Sequence, residues 1–266
     1  MSLIYDVSFD STTRVLSLLD KAGNVISSCE VPSKDVDDIT KPLTFKATQD
    51  GSTVKLTKKG TPSGDFQTSR DGGKTWTDYT LDTAIPLNTG DEVSFRAKTN
   101  RTSAQSFMNC FYFGMTGKIE AWHNVMSLYR TNDFATYNTL VESAFNRLFD
   151  NCDSLTKAPV LPATTLAQDC YNNMFFGCRS LTKAPELPAT TLAQRCYNGM
   201  FFGCPSLKEV RIAATTTATN ALAKWLSGVS ATGDFYCDPN ATIFPTDSAS
   251  GIPKGWTRRD IADYPN

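Results

Sequence analysis

The sequence predicts a multidomain, mainly β chain: a short hairpin, then a β-sandwich, then a closing α/β array of repeats. Three observations carry that prediction. Turn clusters such as "DKAGN", "QDGS", "RDGGK" and "NTGD" punctuate short apolar runs through roughly the first 117 residues. A phrase starting at Leu155, "LTKAPVLPATTLAQDCYNNMFFGC", returns at Leu181 as "LTKAPELPATTLAQRCYNGMFFGC", with three of 24 positions changed. Cys152, Cys178 and Cys204 are spaced 26 apart, and so are Cys170 and Cys196.

The composition narrows the function classes. A formal net charge of −1 over 266 residues gives no broad attraction to nucleic acid or to an anionic membrane, so neither is an expected partner. The apolar runs are far shorter than the ~20 residues that cross a bilayer. Eight cysteines and one histidine raise the question of a metal site, but no C-x-x-C pair exists. The expectation is buried thiols stacked in columns, with no metal and no cofactor, because free Cys is among the most buried side chains.

Residues 1–38 form the first element. Apolar runs flank "DKAGN", where Asp20, Gly23 and Asn24 favour a tight reversal, so a β-hairpin is expected. Two strands bury too little to stand alone, which makes this a docking element. Residues 39–117 form the second. The runs "LTFKAT", "STVKLT", "DFQTSR", "WTDYTL", "EVSFRAKT" and "SFMNCFYFG" read as strands of an antiparallel, immunoglobulin-like sandwich. Within it, "SRDGGKTW" (Ser69–Trp76) fits the Asp-box hairpin pattern of sialidase propellers, but a propeller needs several copies and one is present. "GGKT" lacks the earlier glycine of a phosphate loop, since Thr68 stands there.

Residues 118–258 hold the repeats with their capping segments, and 259–266 are a tail. Each unit divides into an extended piece, "SLTKAPEL", and a piece with helical spacing, "TTLAQRCYNGMFFGC", in which Leu192, Cys196 and Met200 recur every four residues. Pro185 and Pro188 forbid helix in the first piece. One unit cannot enclose a core, whereas stacked copies bury their apolar columns against each other, which is the logic of a solenoid. The period falls in the ~20–29 residue range of leucine-rich repeats. The expected repeat core is Leu155, Leu166, Cys170, Met174, Cys178, Leu181, Leu192, Cys196, Met200, Cys204 and Leu207. A worn copy, "AFNRLFDNCDSL", precedes the clear ones, and Trp225 shields the downstream end.

The repeat text resembles the BspA-like leucine-rich repeats of Bacteroidales surface proteins and of the phages that infect those bacteria. "HNVMSLYRTNDF" and "FPTDSASGIPKGW" match further, and "TSRDGGKTWTDY…LNTGDEVSFRA" is similar to the immunoglobulin-like module that often precedes such repeats. The resemblance implies a non-enzymatic structural and binding protein of a virion, a head fibre or tail appendage of a crAss-like phage. Its N-terminus would grip capsid or tail proteins, and its repeats would meet host-surface glycan or protein. Assembly in the host cytoplasm fits an amino terminus without a secretion-signal pattern, and family analogy favours a homotrimer. The alternatives are a bacterial cell-surface adhesin whose leader is missing and, further off, a glycan-acting enzyme. No carboxylate pair stands apart as a catalytic dyad, and His123 beside Trp122 reads as a packing residue. Candidate recognition positions are those that differ between the twin units: Val160/Glu186, Asp169/Arg195 and Asn173/Gly199. Of Phe175, Phe176, Phe201 and Phe202, one in each pair is expected in the core and the other is a candidate sugar platform.

Overall fold

The computed structural model describes residues 6–10, 15–30, 37–59, 65–101, 111–248 and 250–264. Two compact units result, Met1–Asp37 and Asp38–Asn266.

The first unit is a three-stranded antiparallel meander of β1 (Asp6–Asp10), β2 (Val15–Leu19) and β3 (Val25–Glu30), in that order. The expected hairpin is β2–β3, and β1 extends it. Its reversal is built by Asp20, whose carboxylate accepts the Ala22 and Asn24 amides at 2.8 and 2.9 Å. Gly23 supplies the left-handed corner at φ 83°. Residues 1–5, 11–14 and 31–36 of the expected docking element lie outside the described residues.

In the second unit, strands form where short apolar runs alternate with polar residues. β4 (Thr44–Ala47), β5 (Ser52–Lys58), β6 (Phe66–Ser69), β7 (Thr77–Tyr79), β8 (Ile85–Leu87), β9 (Glu92–Ala97), β10 (Phe111–Thr116) and β11 (Ile119–Trp122) follow in turn. In β5, Val54 and Leu56 are buried while Lys55 between them is partly exposed, the period-two pattern of a half-buried strand. The run expected from Ser106 is described from Phe111 onward. Two sheets result, β10-β5-β8 and β12-β11-β4-β9-β6-β7, where β12 is Leu155–Lys157. Rings from both meet between them: Phe45 lies 4.6 Å from Phe113, and Phe66 lies 5.2 Å from Phe111.

The boundary expected at 117/118 falls between β10 and β11. β11 pairs antiparallel with β4 and parallel with β12, so the sheet runs across it. One hydrophobic core extends from Leu43 to Trp256.

Beyond β12 the extended pieces continue side by side in parallel. Lys183 bridges Glu209, Thr191–Leu192 (β13) pairs with Thr216–Thr217 (β15), and β14 (Glu209–Arg211), β16 (Gly233–Cys237) and β17 (Trp256–Asp260) form a closing sheet.

The helical half expected of each unit is not formed. Among the described residues there is no α-helix, only the 3₁₀ turns Val125–Leu128 and Ile261–Asp263. A ribbon of consecutive tight turns takes the helix's place. Every fourth residue is left-handed: Ser143, Arg147 and Asn151, then Asp169, Asn173 and Gly177, then Arg195, Gly199 and Gly203, then Asn220, Lys224 and Gly228. One alternating set of amides turns back three residues, as Asn172 does to Asp169 and Met174 to Tyr171. The other set reaches the next unit, Tyr171 donating to Cys196 O at 3.0 Å and Phe175 to Met200 O at 2.9 Å. A spacing of four looks helical over a short window, but a left-handed corner in each turn stops the helix and frees those amides to bind the neighbour.

The expected core residues line the interior. Leu155, Cys170, Met174, Cys178, Leu181, Leu192, Cys196, Met200, Cys204 and Leu207 are buried, and Leu166 is half-buried against the same core. Aromatic side chains at equivalent positions stack in columns: Phe149, Phe175 and Phe201 at 5.3 and 5.5 Å with planes within 3°, and Phe145, Tyr171 and Tyr197 at 5.9 Å. Cys152, Cys178 and Cys204 each donate S–H to a carbonyl of the preceding layer, those of Phe113, Phe149 and Phe175, at 3.0–3.1 Å.

Candidate functional site

The repeated exposure of the stack is its distinctive surface. On the ribbon, Gln168/Gln194, Asn172/Asn198 and Phe176/Phe202 recur with solvent access. Phe175 and Phe201 are buried, as one of each pair must be. The Phe176 and Phe202 rings stack on each other at 5.1 Å and 2°. Since each ring covers a face of the other, the candidate sugar platform is reduced to ring edges and the outer faces at each end of the pair.

The twin-unit differences divide three ways. Glu186 is exposed and pairs with Arg211. Val160 is half-buried, its amide donating to His123 O at 2.8 Å. At the other two pairs the differing residues meet each other across neighbouring units. Asp169 is 8% exposed and accepts from Arg195 Nε and Nη2, at 2.9 and 2.7 Å, and from Asn172 Nδ2 at 2.8 Å. Hydrogen bonds from Arg195 hold its carboxyl below the usual carboxylate range. Gly199 is buried beneath Asn173, and a Cβ there would clash with Asn173 Oδ1. These substitutions are rung-to-rung fits: an acid facing a guanidinium, an amide covering a glycine.

The extended-strand face carries paired charges and aromatic rings. Lys183 Nζ binds Glu209 at 2.9 Å, Tyr264 donates to the same carboxylate at 2.8 Å, and Lys183 and Arg211 each lie 4.7 Å from the Tyr264 ring. At the other end Lys157 Nζ lies 3.7 Å over Trp122.

Exposed threonines form further columns. Thr139 bridges Thr165, Thr191 pairs with Thr216, and Thr164, Thr190 and Thr215 accompany them. The signal was present as the recurring "TT" of each unit.

Reactive chemistry is muted within this surface. Burial pushes the Cys196 and Cys204 thiols up to about 12, leaving them protonated and weakly nucleophilic. The six cysteines with described side chains are free and buried. Among the described residues no group of three or more His, Cys, Asp or Glu could hold a metal ion. His123 accepts the Asp38 amide on Nδ1 at 3.1 Å and lies 6.2 Å from Trp122, a packing and anchoring position.

Around the Asp-box hairpin, Asp71 accepts the Lys74 and Thr75 amides at 3.0 and 2.9 Å and the Thr75 hydroxyl at 2.6 Å. Gly73, at φ 90°, lets the Trp76 indole pack beneath the turn and bond Gly73 O at 2.9 Å. The motif is a turn device, and every group of Asp71 is spent on the turn.

Comparison with protein-family models, with curated proteins and with solved structures finds no match for this chain.

Proposed function

We propose that this chain is a non-enzymatic structural and binding protein of a phage particle, its repeats a short BspA-like leucine-rich-repeat solenoid of strands and turns, carried on an immunoglobulin-like sandwich. The carrying observation is the exposed repetition: threonine, glutamine, asparagine and phenylalanine columns recur on the outside of a continuous core. A rigid lattice of matched side chains suits a ligand that is itself extended, such as host-surface glycan or protein. Support for the particle setting comes from the repeat text and module order. On this reading the N-terminal meander, whose Val25 and Ile26 are 59% and 40% exposed, contacts capsid or tail proteins, and the assembly is a homotrimer placed on the virion.

Washed, density-purified particles probed with antibody to the full chain provide the test. The chain should remain with the particles through high-salt washing, and the soluble protein should bind host cells saturably. Recovery in the bacterial surface fraction and not in particles would replace this reading with the adhesin one.

A further inference from the structure

The repeats are not the only recessed or patterned surface. A cavity of about 630 Å³ opens where β7, the edge of one sheet, meets β8, the edge of the other, with residues 80–84 between them. That volume is within the ~300–1,000 Å³ of small-molecule sites. We propose that this cleft binds a sugar residue bearing a carboxylate.

The charge balance of the cleft points to an anionic group. Arg70 is the cation on its wall, and among the described residues no carboxylate pairs with it. Its Nη2 donates to Pro86 O at 2.8 Å, which fixes the guanidinium while leaving other N–H donors for a bidentate carboxylate. Asp78, the opposing charge on the wall, is engaged by Lys98 at 2.6 Å and by Gln67 at 3.0 Å.

The remaining wall points to a polyol. Thr68, Thr75, Thr77, Thr80 and Thr83 all contribute to it. Thr75 donates to Asp71, and Thr77 to Thr68 O, so both keep lone pairs for an incoming hydroxyl. The Thr80 and Thr83 hydroxyls have no partner among the described residues, and both residues are exposed. Partly buried Ile85 and buried Val93 supply an apolar floor for the C–H face of a pyranose ring. The loop is held in position, because Tyr79 Oη donates to Thr83 O while accepting the Leu56 amide at 3.0 Å. A wall of hydroxyls with a single guanidinium suits a monovalent, hydroxyl-rich acid better than a phosphate, which calls for several cations or a nest of amides. This assignment does not depend on what the repeats bind.

Titration of the ¹⁵N-labelled full-length protein with D-glucuronate, D-glucose and inorganic phosphate, followed by amide shifts, tests it. Glucuronate should give saturable shifts confined to residues 68–93, with glucose about tenfold weaker. Arg70→Gln should weaken glucuronate about tenfold and leave glucose unchanged, and Thr83→Val should weaken both sugars. The assignment is overturned by shifts that do not saturate or map elsewhere, by unaltered glucuronate affinity in Arg70→Gln, or by phosphate binding as tightly as glucuronate.

Discussion

The two-sheet region and the repeat region share one core, yet they fill it by different geometry. Around Phe45, Phe95 and Phe113 the rings meet at 58–85°, whereas in the columns of Phe149, Phe175 and Phe201 they lie within 3° of parallel. Edge-to-face contact matches the ring quadrupoles, and it arises where each ring comes from a different strand with its own direction. A stack of near-copies has no such freedom. Translation by one unit carries a side chain onto its own image, so parallel rings follow from the repetition itself. Phe113, 5.4 Å and 13° from Phe149, is where one regime passes into the other.

That comparison can be broken most forcefully in the middle of a column. Phe175→Ala removes the middle ring of a buried stack and should cost about 3–5 kcal/mol. Because the core is continuous, urea denaturation of the 38–266 unit should show one transition at lower midpoint, with amide protection reduced in β10 as well as in the ribbons. Two separated transitions would show that the regions are energetically independent.

A smaller effect tests the fit between rungs. Gly199→Ala places a methyl against Asn173 at a left-handed corner and should destabilise by about 1–3 kcal/mol. Combining it with Asn173→Gly should recover the steric part of that loss, and the coupling energy from the four-protein cycle measures it. Simple additivity would mean that the glycine is required by backbone angle alone.

The thiol columns give a kinetic contrast. Cys196 and Cys204 should resist a water-soluble disulfide reagent at pH 8 in the folded state and react fully in denaturant, since burial raises both to about 12. Rapid labelling of native protein would reveal openings of the stack.

Charge should matter least. Asp169 is stabilised as a carboxylate by Arg195, so its folded value lies below the unfolded one. The contribution is therefore complete above the ordinary aspartate value of ~3.9 and fades as pH falls through the folded value. Arg195→Gln should flatten that acid-side slope slightly and barely move the midpoint at neutral pH. Asp71 behaves with the same sign in the two-sheet region, held low chiefly by the Thr75 hydroxyl, so Asp71→Asn offers the matched control outside the stack.

Much of this architecture was readable beforehand, for identifiable reasons. Alternation reveals β5 and β9, "DKAGN" reveals the reversal between β2 and β3, and the 26-residue period reveals which residues share columns. β8 was missed because "IPL" is short and contains Pro86, which only an edge strand tolerates. The ribbon reads as helix in the sequence because Leu192, Cys196 and Met200 satisfy both patterns. The discriminating residues stood between them: Asp169, Asn173 and Gly177 in one unit and Gly199 and Gly203 in the next, types that accept left-handed angles, again four apart. Arg195 and Lys224 at the same corners obscure that signal. For the sites, duplication located the rung contacts, but a unique cleft such as that beside Arg70 leaves no periodic trace.

The offset of 25 or so residues between donor and acceptor across each ribbon has an evolutionary corollary. Slippage during copying of the gene at this near-duplicate text would insert or delete a whole storey whose floor and ceiling already match. Height could therefore drift by about 4.8 Å per event, with both ends of the building left untouched.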